Sequence, residues 1–281
     1  MVTILKAYTL SECMEVMSEY AYSYEQSSGQ NLLFCEDRLT LIAERALTRR
    51  LGGTFQSSVT TFSRYLSGHK QALTKQGSVM AVGEAMTKLQ RQNALQCFTS
   101  TVGVGNNAKS IYETLAQFSA SEITPEVLRE SLTLLEESAL KRKLSDLALI
   151  YEEYNRFLSE RNFMDESRYL SLLPSRMRED KSLKEKTVFF LCYHSFTAQA
   201  LQTVRACIES AKNVIGIFCA GEEDIYCNQA LRAFTRVAGE YGKVKILDLG
   251  TEIGGEAEIL RKGLFNPESF VKERTKTDKV H

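Results

Sequence analysis

Short runs of β-branched and aromatic residues, each about as long as a strand, fall into two groups towards opposite ends of the chain. The first holds Val2–Ala7, Asn31–Cys35 and Ser58–Phe62; the second holds Thr187–Tyr193, Asn213–Ala220 and Lys243–Leu249. Several are apolar almost without interruption, the pattern of strands buried on both faces. Between them, apolar residues at three- and four-residue spacings predict helices over Ser11–Tyr24, Asp37–Leu51, Thr197–Ala211 and Ile225–Tyr241. Strands alternating with helices build βαβ units. The pattern therefore predicts an α/β fold, a parallel sheet with helices on both faces.

From residue 69 to 186 no convincing strand interrupts the chain. Thr124-Pro125-Glu126 reads as a helix start, with a hydroxyl cap, a proline in the first turn and a carboxylate near the positive end. Leu128, Leu132, Leu135 and Ala139, then Leu144, Leu147, Tyr151, Tyr154 and Leu158, keep to one stripe, as a long helix or a helical pair would. Ser121–Lys186 carries 14 acids and 12 bases, so the opposite faces read as solvated surface of mixed sign. Gly103-Val104-Gly105-Asn106-Asn107 reads as a loop between helices. The expected organisation is an α/β domain of residues 1–68 plus 187–281, interrupted by a helical insertion at 69–186. The polar, basic tail Lys272–His281 has no closing element, as if the chain were cut from something longer.

Composition narrows the classes. With 281 residues, 43% apolar and 25% charged, the chain can bury a real core, which excludes a mainly disordered protein. No apolar run approaches the ~18–20 residues that cross a bilayer, and the start has no basic-then-apolar leader. A cytoplasmic protein with no membrane partner is expected. The seven cysteines are scattered without a CxxC pair and read as reduced core thiols. Thirty-five bases balance thirty-five acids, so a nucleic-acid partner must be held by a local stripe of charge.

Candidate chemistry is sparse. A phosphate cradle after the first strand needs glycines, a lysine and a hydroxyl for magnesium, but the chain has Lys6-Ala7-Tyr8-Thr9-Leu10-Ser11-Glu12 there. Thr9 or Ser11 reads as a helix N-cap. The strand ending at Leu191 runs into Cys192-Tyr193-His194-Ser195, with no carboxylate to hold magnesium. His194 has no nucleophile–acid partners around it and reads as a capping or packed histidine. Glu222-Glu223-Asp224 lacks the following lysine of a nuclease cluster, and Asp165-Glu166 reads as acids at a helix start.

Several segments, in order, resemble one family. Asn31-Leu-Leu-Phe-Cys-Glu-Asp-Arg-Leu-Thr-Leu-Ile-Ala-Glu-Arg45 is similar to the "VVPEQFTLQAER" segment of the B subunits of bacterial AddAB (RexAB) helicase–nucleases. Val59-Thr-Thr-Phe-Ser-Arg-Tyr-Leu66 is similar to their "VLSFSRLA", the counterpart of the "TFHS" motif of superfamily 1 helicases. Ile123-Thr-Pro-Glu126, Lys143-Leu-Ser-Asp-Leu-Ala-Leu-Ile-Tyr-Glu-Glu-Tyr154 and Asp165-Glu166 resemble the "KLxDLxxIYxxY…D" stretch, and Phe196-Thr-Ala-Gln199 resembles "FTPQE".

The resemblance implies a RecA-like first helicase domain (1A) of superfamily 1 with an inserted helical subdomain (1B). It implies the helicase-like part of the B subunit of an ATP-dependent helicase/exonuclease in double-strand break repair and recombination. Such a part guides DNA and contacts an AddA/RexA-type motor protein. The chain departs from the family where Lys6–Glu12 replaces a glycine-rich phosphate loop and Leu191-Cys-Tyr-His-Ser-Phe196 replaces "VDExQD". Those departures point to a catalytically inactive chain. The family's iron–sulfur cysteines and nuclease magnesium belong to its C-terminal part, so no cofactor or metal is expected here. The segments matching Cys35–Thr40 and Thr61–Arg64 imply single-strand backbone contacts from the Thr61 and Ser63 hydroxyls and the Arg64 guanidinium, with Arg38 a weaker candidate. Against this, Thr61 and Ser63 could cap a helix and Arg64 could pair with an acid. A divergent ATPase or exonuclease, or a purely structural partner-binding fragment, are the competing readings of the whole.

Overall fold

A computed structural model describes residues 2–27, 29–65, 73–99, 104–220 and 228–251. Six strands, β1 (Val2–Ala7), β2 (Gln30–Cys35), β3 (Ser57–Thr60), β4 (Lys186–Leu191), β5 (Asn213–Cys219) and β6 (Lys245–Asp248), form one sheet in the order β3-β2-β4-β5-β1-β6. Every pairing is parallel. Both sequence groups of strands therefore enter a single sheet. The fold is α/β and RecA-like.

Side chains alternate across a strand, and both faces of this sheet are covered. On one face Leu5, Leu33, Phe189, Leu191, Ile215 and Ile217 pack against Cys13, Met14, Met17 and Ala21 of α1 (Leu10–Gln26) and Ala43 and Leu47 of α2 (Thr40–Leu51). The intervening positions carry aromatic rings to the other face. There Phe34 stacks on Phe190 at 5.8 Å, and Phe234 meets Phe190 at 5.6 Å and Phe218 at 5.4 Å. Gly216 of β5 makes room for these rings: a Cβ there would stand 2.7 Å from Phe218 and 2.8 Å from Phe234. Double-sided burial is why the strands read as uninterrupted apolar runs. Strand β3 stops at Thr60, two residues short of the run's end, because a short helix, α3 (Phe62–Tyr65), begins there.

Between β3 and β4 the described residues are helical: α4 (Lys75–Arg91), α5 (Val104–Ala120), α6 (Pro125–Thr133), α7 (Ala139–Glu160) and α8 (Glu166–Glu179). The long apolar stripe is a pair of helices, α6 and α7. Leu128 and Leu132 are buried, but Leu135 is exposed where the chain turns, and Ser138 restarts it by accepting from the Lys141 amide at 3.2 Å. Thr124 caps α6 as its sequence implies, accepting from the Val127 amide. The expected loop at 103–107 is corrected: helix α5 already begins at Val104. First-turn amides have no intrahelical partner in any case, so the glycine and asparagines cost least there. The main core of this region joins Val82, Met86 and Leu89 of α4, Ile111 and Leu115 of α5, and Ile150, Tyr154 and Leu158 of α7. The Leu73 amide donates to the Met164 carbonyl at 2.7 Å, a strand-like bridge within an otherwise helical set.

Helices α9 (Ala198–Ser210) and α10 (Asn228–Gly239) follow β4 and β5. By internal contacts the chain divides into two compact units. One comprises the residues up to Thr61, Asp180–Phe196 and those from Cys207 onward; the other comprises Phe62–Glu179 with Thr197–Ala206. Among the described residues no helix is long and apolar enough to cross a membrane.

Candidate nucleic-acid interface

In open parallel sheets, ligands gather at the carboxyl ends of the strands. At the end of β1, where a RecA-like domain would receive phosphate, the chain closes a capping box on itself. Thr9 accepts from the Glu12 amide at 3.2 Å, and Glu12 Oε2 accepts from the amides of Tyr8 and Thr9, both at 2.9 Å. Glu12 Oε1 accepts from the Thr251 amide at 3.0 Å. Burial works to raise the Glu12 pKa, but the amides of Thr251, Tyr8 and Thr9 outweigh it and hold the carboxyl below its ordinary value. A carboxylate of the chain itself thus sits where helix α1 would greet an anion. The nearby lysine is engaged too: Lys6 pairs with Asp248 of the adjacent strand at 2.8 Å.

Beneath this turn lie reduced thiols. The Cys13 thiol is pushed up chiefly by its hydrogen bond with Cys192, opposed by Cys219 and reinforced by burial; burial alone raises that of Cys207. Protonated, buried thiols are poor nucleophiles. Among the described residues no group of three His, Cys, Asp or Glu side chains could hold a metal ion. Glu222-Glu223-Asp224, the tail Lys272–His281 and Cys227 lie outside the described residues.

The ends of β2 and β4 meet in a charged cluster. Arg38 donates to Glu36 at 2.8 Å and to His194 Nδ1 at 2.9 Å, and the His194 amide donates to Glu36 Oε1 at 3.3 Å. The His194 side chain is 63% exposed, so it is not a packed histidine, and it meets Arg38 instead. Its position is set by the bond to Arg38, a partner far away in sequence. Arg38 is itself 61% exposed and leaves its far edge to solvent. At the end of β3, Thr61 is buried, whereas Ser63 and Arg64 on α3 are exposed. Thr61 and Arg38 belong to the sheet unit and Ser63 and Arg64 to the helical one.

A profile described as "ADDB, N-terminal" matches residues 12–272. The chain belongs to this AddB N-terminal family. Its curated relatives are named as B subunits of ATP-dependent helicase/deoxyribonucleases. That of Clostridium acetobutylicum is 25% identical over 177 residues, 63% of this chain and 15% of the relative. That of Desulforudis audaxviator is 26% identical over 186 residues, 62% of this chain and 16% of the relative. That of Alkaliphilus oremlandii is 25% identical over 247 residues, 84% of this chain and 21% of the relative. The chain thus spans only 15% to 21% of the length of these curated relatives.

Several residues behind the AddB resemblance have structural tasks. Asp146, 1% exposed, accepts from the amides of Gln96, Cys97 and Phe98 at 2.6–3.1 Å and pins that loop to α7. Asp165 is fully buried just before α8 and accepts from the Tyr154 hydroxyl. Phe196 joins the aromatic cluster, stacking on Tyr193 at 4.8 Å, and Gln199 donates to Ser119 at 3.1 Å. Sequence reasoning left the cap to Thr9 or Ser11, of which Thr9 is the one, and missed Glu12 filling the turn, although Thr-x-x-Glu is a capping-box signal. It missed the His194–Arg38 pairing because no local pattern encodes it.

Proposed function

We propose that the chain is a helicase-like module from the B subunit of an ATP-dependent helicase/deoxyribonuclease, acting in double-strand break repair and recombination. In this reading it guides DNA and contacts an AddA/RexA-type motor protein in the cytoplasm, and it does not hydrolyse ATP. Residues 69–186 would be the inserted subdomain of a superfamily 1 helicase domain. Family membership and the names of the relatives support the assembly; they concern proteins several times longer.

The observation that carries the nucleotide-silent part is the Glu12 carboxylate at the first strand–helix turn. A triphosphate approaching that turn would meet a negative charge, a lysine already paired with Asp248 and backbone amides already held by Glu12. Isothermal calorimetry of the purified chain with ATP and magnesium tests it. The expected affinity is no better than about millimolar, a weak ~4 kcal/mol. Micromolar, magnesium-dependent binding would favour the divergent ATPase instead.

A further inference from the structure

The outer side of the α1–α2 pair carries a groove that neither the nucleotide nor the DNA argument uses. Leu10, Ser11 and Met14 form one wall; Ile42, Arg45, Ala46 and Arg49 form the other, around a hollow of about 370 Å³. On α2 these positions fall at i, i+3, i+4 and i+7, one continuous stripe. Leu10 is 38% and Ile42 43% exposed, and neighbouring Leu41 is 55% exposed, large apolar side chains that a finished surface covers. Arg45 and Arg49, one turn apart, make no ion pair or side-chain hydrogen bond among the described residues. An adjoining hollow shares the same two arginines, with Leu41, Glu44 and Thr48.

We propose that this groove docks an acidic amphipathic helix of a partner protein. Two helical ridges with an apolar floor accept a third helix, whose leucine-type anchors would sit against Leu10, Met14 and Ile42. Carboxylates one turn apart on that helix would answer Arg45 and Arg49. A nucleic-acid strand fits less well: apolar side chains dominate the floor, and the lining offers no aromatic ring on which a base could stack. The arginines would set orientation and on-rate, and the apolar anchors would hold the complex.

The test uses the full chain and a fluorescent 18-residue helical peptide with leucines at i, i+4 and i+7 flanked by glutamates four apart, alongside its lysine counterpart and a 12-residue oligothymidylate. The acidic peptide is expected to bind with Kd of about 100 μM or better and the lysine peptide at least ~10-fold more weakly. The double variant Arg45→Glu, Arg49→Glu should reverse that order, and Ile42→Ser should weaken both peptides. All three positions are on the surface, and circular dichroism would verify that the variants remain folded. No binding of the acidic peptide at about 1 mM overturns the proposal, as does binding that the charge reversal leaves unchanged. Oligothymidylate that displaces the peptide and loses affinity in the double variant would assign the groove to nucleic acid and overturn it too.

Discussion

The Glu12 carboxylate accepts from three backbone amides, and that gives its charge a measurable signature. Its folded pKa lies below the ordinary 4.5, so its contribution to stability is present above that value and is lost as pH falls through the folded one. Glu12→Gln should therefore be less stable than the parent at pH 7, with the difference shrinking under acid; urea melts at both ends of the range read it. An equal difference at all pH values would show that the charge is not what the amides hold. Asp146 tests a buried acceptor. Asp146→Ala strands the Gln96, Cys97 and Phe98 amides and should cost about 2–4 kcal/mol in the same assay. For DNA, exposed Arg64 is the candidate with the plainest expectation. Arg64→Ala should weaken single-strand binding by about tenfold or less and flatten its salt dependence by roughly one charge, with a smaller effect for Arg38→Ala. An unchanged salt slope would remove Arg64 as a DNA contact.

At the scale of elements, the strands were the most legible part of the sequence. A strand buried on both faces announces itself locally, as Thr187–Leu191 and Asn213–Cys219 do, and the structure moves their ends by only a residue or two. The helix start at Thr124-Pro125, a hydroxyl followed by a proline, was legible from local sequence too. What stayed hidden depends on distance along the chain. The Glu12–Thr251 bond spans 239 positions and the Arg38–His194 bond 156, and no periodicity encodes either. The candidate site is therefore less readable than the fold that carries it. Gly216 offers a test of the sheet's aromatic face. Gly216→Ala must drive a methyl into the Phe218 and Phe234 rings and should destabilise by about 1–3 kcal/mol, read by denaturant melts. A neutral effect would mean that the rings have room to retreat.

For the molecule as a whole, the two largest apolar cores described belong to a RecA-like sheet with its helices and to a separate set of helices. The strand ends that would serve a nucleotide are occupied by the chain's own groups, Glu12 at β1 and the Lys6–Asp248 pair beside it. Exposed cations remain beyond β2 and β3. In the role proposed above, such a module holds a strand and leaves the energy to its partner. The most direct measurement is a fluorescence titration of a labelled oligothymidylate with the purified chain, repeated with and without ATP and magnesium. Saturable, salt-sensitive binding is expected, with the same affinity in both conditions and no phosphate release. An affinity that shifts several-fold with ATP, or DNA-stimulated hydrolysis, would contradict a nucleotide-silent module.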